Sequence, residues 1–72
     1  MNILKLLNTG SEELRIKNIF SHRIDSEVLL SNLLNKKREE LLINLDEKVS
    51  LDNTKKFQKI ILRRSLKEPV AY

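Results

Sequence analysis

"SHRIDSEVLLSNLLN", residues 21–35, decides the fold of this chain. Ser26, Leu29, Leu30, Leu33 and Leu34 recur at the three- and four-residue spacing of a helix with one apolar face. Ser21 stands where an N-cap belongs, and Asp25 and Glu27 lie near the positive end of the helix dipole. No Gly or Pro interrupts the run, so a helix over residues 22–35 is predicted. One apolar face on one helix needs other helices to cover it.

They are found on both sides. In "NILKLLNTGSEELRIKNI", residues 2–19, Ile3, Leu7, Gly10 and Leu14 share a helical face, with Leu4 and Leu6 flanking it, which predicts a helix over 2–17. Gly10 inside it costs about 1 kcal/mol relative to Ala. Either a neighbouring helix needs the space, or the helix breaks there and restarts with Ser11 as cap; the continuous helix is the preferred reading. On the other side, Asn35 can close the central helix or cap a shorter one, "KKREELLINL" (36–45), with Leu41, Leu42 and Leu45 facing inward. Lys36 and Lys37 at its start oppose the dipole, which marks them as a candidate surface contact; loosely held, solvated lysines are the plain alternative.

"DEKVS" (46–50) reads as a polar connection, after which Ser50 caps "LDNTKKFQKIILRRSLK" (51–67). Phe57, Ile60 and Ile61 form its apolar stripe, Leu51 and Leu62 add to the flanks, and Arg63 and Arg64 fall in the last turns, where the dipole favours cations. Pro69 disfavours helix at the residue before it, so this helix should finish by about Lys67. The expected architecture is all-α: a small bundle of four to five helices over residues 1–67.

Size and composition agree. Seventy-two residues allow one small domain with a thin core, and without Cys there is neither a disulfide nor a thiolate metal site. His22 is the single histidine and cannot build a zinc site or a catalytic triad alone. No apolar run approaches the roughly 18 to 20 residues of a membrane span, and the start lacks a signal peptide's pattern, so a cytoplasmic location is expected. The formal charge of +4 raises a polyanion as partner, weakly, because 14 basic residues are spread against 10 acidic ones.

The search for catalytic chemistry is mostly negative. There is no Gly-rich phosphate loop and no nucleophile with an evident base. Glu12/Glu13 and Glu39/Glu40 are sequence neighbours whose side chains diverge by about 100° on a helix, so neither pair converges on a substrate. A free-standing enzyme is not expected. A basic helix-turn-helix-like DNA-binding module is the alternative, with the last helix as recognition element through Asn53, Lys55, Lys56, Gln58, Lys59, Arg63 and Arg64. Asp52 near the phosphates speaks against it, and the dipole alone explains the two arginines. A generic helical interaction domain is the third reading.

Three segments carry a resemblance that spacing alone does not give: "RIDSEVLL" (23–30), "LLNKKREELL" (33–42) and "RRSLKEPVAY" (63–72). In this order, spanning nearly the whole chain, they resemble the N-terminal domain of the protein-(glutamine-N5) methyltransferases, the release-factor glutamine methyltransferase or HemK family. That family shows R-L-D-A-E-x-L-L, then L-x-x-x-R-x-x-L, then R-R-x-x-G-E-P-x-A-Y. Arg23, Asp25, Glu27, Leu29 and Leu30 match the first; Arg38 and Leu41 the second; Arg63, Arg64, Glu68, Pro69, Ala71 and Tyr72 the third. Ile24 stands for Leu, Ser26 for Ala, and Lys67 for the usual Gly, which puts a left-handed turn there in doubt.

The resemblance implies a helical bundle joined by a linker to a Rossmann-like domain that binds S-adenosylmethionine and carries N-P-P-Y. It implies methylation of the glutamine side-chain amide in the Gly-Gly-Gln loop of class I peptide-chain release factors. Neither the cofactor loop nor N-P-P-Y occurs in these residues, so no cofactor is expected here. Residues 1–67 are expected to be the non-catalytic recognition domain and 68–72 the start of a linker to a methyltransferase domain outside these residues. Partners are then a release factor and the chain's own methyltransferase domain, without membrane or nucleic acid, in a monomer. Lys36, Lys37, Lys55, Lys56 and Lys59 are the expected partner contacts. Arg23 and Asp25, two apart and so pointing to different sides, are expected to anchor the central helix to another element. Arg63, Arg64, Glu68, Pro69 and Tyr72 are expected to anchor the junction between domains.

Overall fold

Four helices form in the computed structural model, which describes residues 1–66: α1 (Ile3–Ile16), α2 (His22–Leu34), α3 (Arg38–Ile43) and α4 (Leu51–Ser65). The all-α bundle is as predicted, and no strand occurs among the described residues. Glu68, Pro69 and Tyr72, and the predicted helix end near Lys67, lie outside the described residues.

α1 runs unbroken through Gly10. The residue faces α2 and α4 so closely that a Cβ there would stand 2.9 Å from Ser26 Oγ and 3.0 Å from both Ile61 Cδ1 and Phe57 Cζ. The missing side chain thus permits the contact of three helices. Asn2 caps α1 by accepting the Lys5 N–H (2.8 Å). Two further N–H groups at this helix start, on Ile3 and Leu4, donate to the carbonyls of Glu47 and Leu45, both at 3.0 Å. The connection before α4 therefore finishes the start of α1.

Both long N-terminal helices stop on an asparagine in the left-handed region, Asn18 (φ 62°) and Asn35 (φ 55°). After α1, the Asn18 N–H reaches Arg15 O (3.0 Å) and the Ile19 N–H reaches Leu14 O (3.0 Å). After α2, Asn35 reaches Asn32 O (3.3 Å) and Lys36 reaches Ser31 O (2.9 Å). Each pair of bonds is a Schellman closure, and beside the first both Ile19 and Leu14 are buried in the core.

α1 packs on α2 and α4, α2 packs on α4, and α3 leans on α2. Ile3, Leu6, Leu14, Leu30, Phe57 and Ile61 fill the centre, each essentially inaccessible. Leu29, Leu33 and Leu34 pack against that core as the period of residues 21–35 requires.

Three expectations need correction. The third helix is six residues long, not ten: Lys36 and Lys37 lie outside it and Leu45 packs on the core from the following connection. Leu42 is exposed, since α3 touches the body along one narrow edge, and only Leu41 is fully inward. Ser21 precedes α2 as predicted, but with ψ 26° its backbone is not extended, and its hydroxyl caps no N–H. It donates instead to the Asp25 carboxylate at 2.9 Å.

Candidate partner interface

The outer face of α4 carries a row of cations. Lys55, Lys59 and Arg63 follow one another at four-residue steps, about 6 Å apart along the axis, with Lys56 beside them; all four are exposed. Asp52 is the one carboxylate within α4 and pairs with Lys56 at 3.0 Å. The row exists because the buried edge of α4, Thr54, Phe57, Ile61 and Ser65, takes the opposite side of the helix.

The other two lysines singled out by sequence lie elsewhere. Lys36 is partly buried, and its Nζ contacts Glu47 Oε2 at 2.7 Å, tying the α2–α3 corner to the connection before α4. Next to it Arg38 clasps Glu27 at 2.7 and 3.2 Å, holding α3 to α2. Lys37 is exposed, and its N–H donates to Glu40 Oε1 at 3.2 Å, the acidic half of a capping box. Lys36 lines a cleft with Leu33 and Asn53 on the α2 side of α4. The two lysine groups are thus on different flanks.

A buried ion pair fixes the opposite end of α4. Arg64 Nε donates to Asp25 Oδ2 at 3.0 Å, and the Ser21 hydroxyl donates to the same oxygen. Asp25 is 1% exposed and Arg64 17%, so the pair bridges the start of α2 and the end of α4 largely out of water. Arg23, by contrast, is exposed and lines a small cleft with Leu4 and Leu42. The residues two apart do point to different sides. Sequence reasoning did not identify the partner of Asp25, 39 residues away, although Asp25 lies four residues before Leu29 and so falls on the apolar face.

Between α1 and α4 runs a cleft of about 230 Å³. Gly10, Phe57 and Ile61 form its floor. Thr9 and Glu13 stand on the α1 wall, Gln58 and Leu62 on the α4 wall. On the outside of α1, Glu12 and Arg15 pair, so that the guanidinium holds the Glu12 carboxyl below its usual range while the carboxylate raises Arg15.

Nothing in this set is reactive chemistry. Among the described residues no group of three His, Asp or Glu side chains converges as a metal site. S-adenosylmethionine does not fit: the one glycine is buried in α1 against Phe57 and Ile61, not in a loop that could cradle it. None of the described helices is long and apolar enough to cross a membrane. What the geometry offers is a surface: a basic row beside an apolar cleft.

Comparison with known proteins gives that surface a context. Residues 5–72 match the family described as the PrmC N-terminal domain. A release factor glutamine methyltransferase of Leptospira interrogans is 38% identical over 71 residues, which is 99% of this chain and 25% of that protein. Bifunctional methyltransferases of Rickettsia felis and Rickettsia conorii are 37% and 34% identical over the same length, 14% of each. The chain thus spans a quarter or less of these relatives. No solved structure matches.

Proposed function

The chain belongs to the PrmC N-terminal domain family, and from that premise we propose that it is the recognition domain of a protein-(glutamine-N5) methyltransferase. In this reading it docks a class I peptide-chain release factor in the cytoplasm and presents the Gly-Gly-Gln glutamine to a second domain, which binds S-adenosylmethionine. The relatives named as methyltransferases support the reaction class, and the one named for release factors supports the substrate.

Methyl transfer to an amide nitrogen asks mainly for position: the methyl in line and the amide held by preorganised polar groups. Binding energy gathered on a remote domain supplies part of that positioning.

The observation that carries the docking reading is the exposed group Lys55, Lys56 and Lys59, with Asp52 the one carboxylate within α4. Lys36 is held by Glu47, which leaves Lys37 as the exposed member of the second pair. Asp25 and Arg64 hold the end of α4, ahead in sequence of Glu68, Pro69 and Tyr72, the proposed start of the linker. Arg23 and Arg63 are the exposed members of the two anchoring pairs and are proposed to meet the second domain.

Isothermal calorimetry of the 72-residue chain against a class I release factor tests the proposal. Saturable binding that weakens with added salt is expected. Absence of binding to release factor, with salt-sensitive binding to duplex DNA instead, would turn the reading to a nucleic-acid module.

A further inference from the structure

The flank of α4 that borders the α1 cleft is built unlike an ordinary solvated face. Going around the helix at about 100° per residue from the buried Phe57 and Ile61, one meets Gln58, Leu51 and Leu62, then Lys55, Leu66 and Lys59. Leu51, Leu62 and Leu66 are 70%, 58% and 67% exposed. A solvated helix places polar residues there, and three exposed leucines on one flank mark a contact surface. The flank continues into the cleft, which Gln58, Leu62, Phe57 and Ile61 line from the α4 side.

Charge decides what fits. Lys55 and Lys59 come next round α4 from Gln58 and Leu62, just outside the cleft lining, and Asp52 sits further round, with Lys56. Glu13 stands on the opposite wall. An occupant with acids along one flank only is attracted at the α4 rim and repelled at the α1 rim, which fixes how it lies.

We propose that the α1–α4 cleft seats an acidic amphipathic helix of the partner protein. Its apolar residues at i, i+3 and i+7 would lie along Leu62 and enter the cleft between α1 and α4, while its glutamates or aspartates meet Lys55 and Lys59. This rests on the docking reading above and specifies its contact: the partner presents a helix, apolar on one side and acidic on the α4-facing flank.

The probe is a fluorescein-labelled peptide of about four helical turns, with leucines at i, i+3 and i+7 and glutamates along one flank. A second peptide carries lysines in place of the glutamates. Fluorescence anisotropy against the 72-residue chain should give saturable binding of the acidic peptide, at least about tenfold tighter than the basic one. Lys55→Glu with Lys59→Glu should reverse that preference, and Leu62→Ser should weaken both peptides. These side chains are exposed, so the fold is not at stake, and circular dichroism checks it.

Equal affinity for both peptides, no saturable binding, or indifference to the three substitutions overturns the inference. So does displacement of the peptide by a DNA oligonucleotide, or self-association of the chain that excludes it. Release factor is then added as competitor. Displacement of the peptide supports both proposals. Release factor that binds without displacing it overturns the cleft inference and leaves docking intact, whereas peptide binding with no release-factor binding removes the docking reading and leaves the cleft.

Discussion

Gly10 shows how one absent side chain is used. Replacing it with Ala gains up to about 1 kcal/mol in helix propensity. The new Cβ, however, meets Ser26 Oγ, Ile61 Cδ1 and Phe57 Cζ at 3.0 Å or less, and overpacking of that kind costs about 1–3 kcal/mol. Gly10→Ala should therefore lower stability by about 1 kcal/mol in chemical denaturation, net of both effects. Ser26 Oγ, the nearest of the three, donates to Leu7 O of α1 at 3.0 Å rather than to its own helix. In a Ser26→Ala background the same Gly10 substitution should cost less; an undiminished cost would show that Phe57 and Ile61 are the harder contacts. Thr54 poses the converse case, a buried hydroxyl with no hydrogen-bond partner among the described residues. Thr54→Val keeps the shape and removes the unsatisfied group, so thermal denaturation should show a gain of about 1 kcal/mol. The sequence presented Gly10 as a fork between contact and break, because a glycine's neighbours across the fold are not written beside it.

At the scale of the element, helix ends separate what sequence shows from what it hides. Ser50 caps α4 by accepting the Asn53 N–H at 3.1 Å, as its position suggested, because the interaction spans three residues. Asn35 closes α2 for an equally local reason: its side chain tolerates the left-handed conformation. Asn35→Ala should cost about 1 kcal/mol in thermal denaturation and Asn35→Gly nothing or less, a contrast that packing alone would not produce. α3 was read too long because Leu41, Leu42 and Leu45 keep helical spacing. The backbone at Leu45 and Glu47 instead turns to serve the N–H groups of Ile3 and Leu4, bonds made across more than 40 positions. Local pattern does not contain such bonds.

Across the whole molecule, charge is divided between holding and presenting. Lys36, Arg38 and Arg64 pair with Glu47, Glu27 and Asp25 to join separate elements, whereas Lys55, Lys56 and Lys59 of α4 are exposed. The Asp25–Arg64 pair is the most buried of these, and removal of one member of such a pair is costly. Asp25→Ala should reduce the unfolding free energy by about 3 kcal/mol, measured by chemical denaturation. The sequence named both residues as anchors but not as each other's partner, since a contact 39 residues apart leaves no spacing to read. It named both lysine groups as contacts without distinguishing them, because exposure depends on which carboxylates fold nearby. Calorimetric affinity for a class I release factor, measured after charge reversal in each group, tests the account most directly. Lys55→Glu, Lys56→Glu and Lys59→Glu together should weaken binding at least about tenfold, and Lys37→Glu by less than about threefold. An unchanged affinity in the α4 variant, or a larger loss at Lys37, would contradict it.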